Sequence, residues 1–333
     1  MKILITGGLG FLGSHLLKKL SNAHEIYVID NLLKQVHGNE YNIINNIDFT
    51  CGDVSDKKTW KRFYGKSFDV LIHLAAETGT GQSAYLAEQC CKTNILSTAI
   101  INDIIVNKNI NFEKIILASS RAVYGEGSES VGISESATPK PVSIYGISKL
   151  TQEQILLKSK NVTVLRLQNV YGDGQSLTNP YTGIVSLFTA LALNGHEITL
   201  FENGEPIRDF INVYDVVNAF ILAINSKEFG VFNIGSGNKT TILDLAKIIS
   251  NNTGANIKTT NLKRSGDVKH IYADISLAKQ KLKFEPEISL NIGIGNFILW
   301  AKNKKISMDN IIKNYKISLK ELASKGLLNE KHI

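Results

Sequence analysis

The stretch TGGLGFLG, residues 6–13, constrains this chain most: it sets four glycines in eight residues between an apolar run, KILIT, and a helical pattern, FLGSHLLKKL. Each glycine costs a helix roughly 0.5–1 kcal/mol against alanine, so the loop must need bare backbone. Gly7, Gly10 and Gly13 fall at GxxGxxG spacing, directly after a predicted strand and directly before a predicted helix. In that setting glycines permit the tight turn and let a pyrophosphate approach N–H groups at a helix N-terminus. The context turns a weak pattern into a dinucleotide signature, with Phe11 and Leu12 of the same loop in the cofactor set. The second run, EIYVID, ends at Asp30, whose carboxylate suits the adenosine ribose hydroxyls and would repel a 2'-phosphate. NAD is therefore expected over NADP, with Asn31 adjoining. Asp53 in GDVSD, followed by Val54, is expected at the adenine amino group; as a bare residue it would equally serve as a helix cap.

The runs KILIT (2–6), EIYVID (25–30), IDFTC (47–51), DVLIHLA (69–75), KIILASS (114–120) and VTVLRL (162–167) read as strands covered on both faces. Helical patterns fall between them, notably 83–107 and 145–160. That alternation predicts an α/β fold with a doubly wound parallel sheet. Beyond Asn169 the pattern loosens into QNVYGDGQSLTNPYTG and shorter elements: a helix from Ile184, strands near ITLF and DFINV, and helices near Tyr214 and Leu243. The organisation expected is a dinucleotide domain over 1–168, a smaller α/β substrate domain over 169–303, partly discontinuous, and a helical surface or interface extension over 304–333.

The net charge of +7 comes from scattered lysines with few interleaved aromatics, which fits an anionic small molecule and does not predict a nucleic-acid partner. Cys51, Cys90 and Cys91 are odd in number and lack metal-ligand spacing, so no metal and a reduced, cytoplasmic setting are expected. No apolar run reaches the roughly 18 residues of a membrane span, and none is expected.

YGISK places Tyr145 and Lys149 one turn apart on a helix face. A free phenol, with pKa near 10, is a poor base at neutral pH, and bringing it to about 6–7 takes roughly 4–5 kcal/mol of phenolate stabilisation. The nearby ammonium and the positive nicotinamide ring are expected to supply it. Ser120 closes KIILASS at the same sheet edge, suited to bridging a substrate oxygen and the tyrosine. Ser120, Tyr145 and Lys149 together predict oxidation or reduction of a carbinol.

With these residues placed, the sequence resembles the extended short-chain dehydrogenase/reductase family, in its nucleotide-sugar epimerase and dehydratase branch. TGGLGFLGSHL, HLAAETGTGQS, SSRAVYGEG, YGISK, LRLQNVYG, GEPIRDFINVYDVV, FNIGSG and RSGD follow in the family's order, over the chain up to about residue 303. The resemblance implies a Rossmann domain holding NAD, a second domain holding a nucleotide diphosphate-sugar, a homodimer through the two long helices, and chemistry at the seam. It implies Tyr145 as base, Lys149 on the nicotinamide ribose and Ser120 as the bridging hydroxyl. Leu74, Ala75, Ala76 and Asn94 would line the cofactor, and Thr78, Thr80 and Ser83 would border the sugar. Asn169, Arg208 and Arg264 would hold the diphosphate, and Phe201 would lie near the base. Guanidinium forks are the best partners for a buried diphosphate, and this chain has only five arginines.

Dehydratases of this branch carry an Asp-Glu pair where this chain has Arg121 and Ala122. Arginine stays protonated and alanine has nothing to titrate, so elimination of water is disfavoured. The resemblance then implies a 4-epimerase acting on UDP- or dTDP-hexoses or 6-deoxyhexoses, in which the 4-keto sugar turns in the pocket before reduction. A 4-dehydrogenase or 4-ketoreductase needs the same three residues and stays open, as does a non-catalytic NAD-binding regulator. Arg121 is expected either to contact substrate or to sit behind it.

Overall fold

The strands form where uninterrupted apolar runs end in small or polar residues. The computed structural model describes residues 1–37, 45–179, 181, 183–263, 267–304 and 308–328. In chain order the first half comprises β1 (Lys2–Thr6), α1 (Phe11–Leu20), β2 (Glu25–Asp30), α2 (Lys34–His37), β3 (Ile47–Cys51), α3 (Lys57–Trp60), β4 (Ser67–His73), α4 (Ala87–Cys90), α5 (Ser97–Val106), β5 (Asn111–Ser120), α6 (Ile144–Leu156) and β6 (Val162–Leu167). The second half adds β7 (Asn169–Tyr171), α7 (Ile184–Leu193), β8 (Ile198–Leu200), β9 (Ile207–Arg208), β10 (Phe210–Asn212), α8 (Val213–Asn225), β11 (Gly230–Ile234), β12 (Thr240–Thr241), α9 (Ile242–Thr253), β13 (Ile257–Thr259), α10 (Ser276–Leu282), α11 (Leu290–Lys302) and α12 (Met308–Ser324).

Seven parallel strands lie in the order β11-β6-β5-β4-β1-β2-β3. This is the Rossmann-type doubly wound arrangement, with its topological switch between β1 and β4, where such sheets bind ligands at the strand C-termini. Successive side chains of a strand point to opposite faces. Ile3 and Ile5 accordingly pack with Leu16 of α1 and Phe220 of α8, whereas Leu4 packs on the other face with Trp60 and with Ile101 of α5. A second core, gathered from α7, α9, α11, β8 and β10, includes Phe188, Leu245 and Phe297.

Three expectations are revised. The seventh strand, β11, comes from beyond residue 168 and pairs with β6 along its length. The helix expected over 83–107 is broken: a 3-10 turn at Gln82–Ala84, α4, a π-helical stretch at Cys91–Leu96, then α5. The helix expected over 145–160 ends at Leu156. Among the described residues no helix is long and apolar enough to cross a membrane.

Candidate active site

Gly7 has φ +68°, and a Cβ there would lie 2.8 Å from the Ala75 nitrogen, so the turn needs glycine both for its conformation and for its approach to the end of β4. At Gly13 a Cβ would come within 2.5 Å of the Gly7 and Gly8 carbonyl oxygens, which lets the first turn of α1 sit directly on the loop. Helix α1 begins after Gly10 with no side-chain cap, leaving its N-terminal amides to an outside acceptor. Asp30, buried at the end of β2, accepts from Leu9 N–H at 3.0 Å and from Leu32 N–H at 2.9 Å, and pairs with His37 Nε2 at 3.2 Å. It thereby ties the glycine loop to the second strand. Asn31 is exposed and holds Leu33 N–H, while Phe11 and Leu12 are half-buried on the first turn of α1.

Asp53 accepts from both the backbone N–H and the hydroxyl of Ser55, whereas Asp56 caps α3 through Lys58 N–H. Val54 is buried in the core. Leu74, Ala75 and Ala76 leave β4 half-buried beside the glycine loop. Asn94, fully buried in the π-helical stretch, accepts from Glu77 N–H at 2.8 Å and donates to Glu77 C=O and to Ser148 Oγ. Its amide fastens the loop after β4 to α6.

Tyr145 and Lys149 lie on α6, 8% and 3% exposed. Two hydroxyls secure the start of that helix: Ser143 accepts from Gly146 N–H, and Ser83 accepts from Tyr145 N–H at 3.1 Å while donating to Thr80 C=O. Thr78 is exposed and Thr80 half-buried on the same loop. Ser120, at the end of β5, caps the following turn through Ala122 N–H, and its hydroxyl faces the Tyr145 phenol.

Burial pushes the Tyr145 phenol up; the Ser120 hydroxyl and the Arg121 guanidinium work against it. The Lys149 ammonium donates to the Ala118 carbonyl at 2.9 Å. Burial brings the Lys149 pKa down to about 8, opposed by Cys90 and Glu153. The Arg121 guanidinium, which favours the phenolate, has its own pKa brought down to about 9 through burial and then through the like charge of Arg208.

Arg208, 9% exposed on β9, donates to the carbonyls of Ile207, Lys269 and Val268 at 2.7–2.9 Å. Two neighbouring guanidiniums in a low-dielectric setting favour a bound anion. Asn169 opens β7 with a buried side-chain oxygen that has no hydrogen-bond partner among the described residues. Phe201 is half-buried just after β8. Arg264 lies outside the described residues.

The model of the NAD dependent epimerase/dehydratase family matches residues 3–235. The chain belongs to that family. It is therefore an enzyme that uses NAD. The cradle fits the cofactor on its own evidence, since a glycine loop that tolerates no Cβ leads into an uncapped helix N-terminus beside a buried Asp30. Among relatives of this epimerase/dehydratase, dTDP-L-rhamnose 4-epimerase of Burkholderia thailandensis is 38% identical over 90% of this chain and 94% of its own. A putative UDP-glucose 4-epimerase of Methanocaldococcus jannaschii is 34% identical over 90% of this chain and 98% of its own. The crystal structure of UDP-glucose 4-epimerase with UDP-glucose from Thermotoga maritima superposes with a TM-score of 0.82 at 32% identity, covering 91% of this chain and 99% of that one.

Several groups around the epimerase/dehydratase site escaped the sequence reading. His37 meets Asp30 from α2, a seven-residue separation that no motif marks. Beneath Lys149, Glu153 forms a buried pair with Arg166 at 2.6 Å, and Arg166 lies over the Tyr124 ring at 4.7 Å. The i, i+4 spacing of Lys149 and Glu153 and the strand carrying Arg166 were visible in the sequence; the pairing of Glu153 with Arg166 between helix and strand was not.

Proposed function

We propose that the chain is an NAD-dependent nucleotide-sugar 4-epimerase, with Tyr145 as the acid–base residue. The observation that carries this reading is Tyr145, buried on α6 with Ser120 and Arg121 facing it and no titratable acid–base pair at 121 and 122. Bound NAD supplies a reversible two-electron acceptor. The proton work belongs to the chain: Tyr145 takes the proton of the sugar hydroxyl and later returns one, while Ser120 orients that hydroxyl by donating to or accepting from it.

Arg121 lowers the cost of the phenolate, and a buried phenol gains more from one fixed cation than an exposed one would. Lys149, Asp30 and the 7–13 loop are assigned to the cofactor's riboses and pyrophosphate. Asn169, Arg208 and Arg264 are assigned to the diphosphate. Thr78, Thr80 and Ser83 border the sugar, and Phe201 lies near the base. The relatives named above act on UDP- and dTDP-linked sugars, and the same substrate class, held by a homodimer in the cytoplasm, is the reading adopted here.

Proton NMR of UDP-glucose and dTDP-L-rhamnose incubated with the enzyme, with absorbance at 340 nm followed in parallel, tests it. Accumulation of the C4 epimer without net NADH is expected. Stoichiometric NADH with loss of the sugar alcohol would instead establish a dehydrogenase.

A further inference from the structure

Helix α12 returns across the site loops. Its Glu321 Oε2 accepts from the Tyr181 hydroxyl at 2.5 Å and from the Tyr85 hydroxyl at 3.0 Å, and the two phenol oxygens are themselves 2.5 Å apart. Asn314 donates to the Thr178 carbonyl at 3.0 Å, Leu322 is 4% exposed, and a Cβ at Gly81 would meet Leu322 Cδ2 at 3.7 Å. Gly79 in turn lies against the Tyr181 side chain. Residues 79–85, Thr178 and Tyr181, and Asn314, Glu321 and Leu322 therefore converge, and Ser83 of the first group accepts from the Tyr145 backbone N–H. Because 91% of this chain accounts for 99% of the Thermotoga maritima enzyme, the chain has a surplus, and its family motifs end before residue 303.

Resting on the epimerase reading, we propose that α12 forms one wall of the sugar pocket and that Glu321 is a positioning residue: by clamping Tyr181 to Tyr85, on the loop whose Ser83 meets the start of α6, it sets sugar selectivity, favouring neutral hexoses and 6-deoxyhexoses over uronates. Two phenol protons serve three short oxygen contacts around one carboxylate, so removing the carboxylate charge frees both rings to turn. A carboxylate held at this wall also repels a sugar carboxylate in a poorly solvated space.

The test compares full-length wild type, Glu321→Gln and Tyr181→Phe by calorimetric binding of UDP-glucose, UDP-glucuronate and UDP alone, with dTDP-L-rhamnose and dTDP as the second pair. Both variants are expected to weaken binding of the neutral nucleotide sugar about tenfold relative to the bare nucleotide diphosphate, whose affinity stays within twofold. In Glu321→Gln the preference for UDP-glucose over UDP-glucuronate should also narrow about tenfold, with kcat within threefold of wild type. Unchanged sugar-to-nucleotide ratios, or equal weakening of sugar-bearing and bare nucleotides, would overturn the proposal while leaving the epimerase reading intact. A wild type that retains NAD but binds no nucleotide sugar would overturn both.

Discussion

At the scale of the residue, the chemistry turns on which cation faces the phenol. YGISK and the serine ending KIILASS made Tyr145, Lys149 and Ser120 legible, because their spacing and their place at strand and helix ends are local properties. The action of Arg121 on Tyr145 was not legible, since 24 positions separate them and only the turn after β5 brings them together. Replacing Arg121 by Gln removes the charge that opposes burial, so the phenol pKa rises. The acid limb of the kcat/KM profile is predicted to move roughly 0.5–1 unit to higher pH, measurable by steady-state kinetics across pH 6–10. Tyr145→Phe should lower kcat by at least about a thousandfold with NAD still bound, checked by turnover and by the absorbance of retained cofactor.

Lys149 yields a prediction of opposite sign for stability. Its folded pKa of about 8 lies below the unfolded value of a lysine, so the unfolded chain binds the proton more readily. The buried charge therefore costs stability in full below pH 8, and the cost fades as pH rises from 8 toward the unfolded value. Lys149→Met should abolish turnover yet raise the melting temperature by a few degrees at pH 7, with the gain shrinking above pH 9, in calorimetric scans. The shift corresponds to about 3 kcal/mol at most, part of which is offset by loss of the bond to the Ala118 carbonyl.

At the scale of the element, α1 and its glycine loop behave as one part. Gly13→Ala drives a Cβ into two backbone oxygens that cannot give way without moving the loop. It is predicted to cost about 2 kcal/mol or more of stability and at least tenfold in NAD affinity, by chemical unfolding and cofactor titration. The edges of the strands were readable because apolar runs stop at Thr6, Asp30 and Ser120. The π-helical stretch was not, because its residues keep an ordinary helical pattern. Within it Asn94 reaches Glu77 and Ser148, contacts made across the fold.

Between the sheet and its helices, His73 is fully enclosed, with Thr6 Oγ1 2.7 Å from its Nδ1. Burial, then the Lys149 charge, hold its pKa near 3. The unfolded chain takes up this proton near pH 6.5 and the folded chain only near 3, so stability falls as pH drops through that window. In His73→Gln the slope of unfolding free energy against pH between 6.5 and 4 is predicted to be shallower, as measured by urea titration at each pH.

At the scale of the whole molecule, the two halves share a sheet. FNIGSG stands in the sequence as a family motif with no strand expected, yet Gly230–Ile234 pairs with β6, and α8 covers one face through Phe220. Such long-range closure carries no local signature, because β11 is short and its pairing partner lies more than sixty residues away. A fragment of residues 1–168 leaves β6 as an open edge and the Ile5–Leu16 face uncovered, and it should fail to give a cooperative unfolding transition by circular dichroism.

The central claim is that one carbon of the sugar, C4, is oxidised and then restored on the opposite face by the same site. A nucleotide sugar bearing deuterium at C4, converted in ordinary water and followed by NMR, measures this most directly. The account predicts that the epimer forms with its deuterium still at C4. An epimer whose label has been exchanged for solvent hydrogen, or an oxidised product released with the label transferred to free NADH, would contradict it.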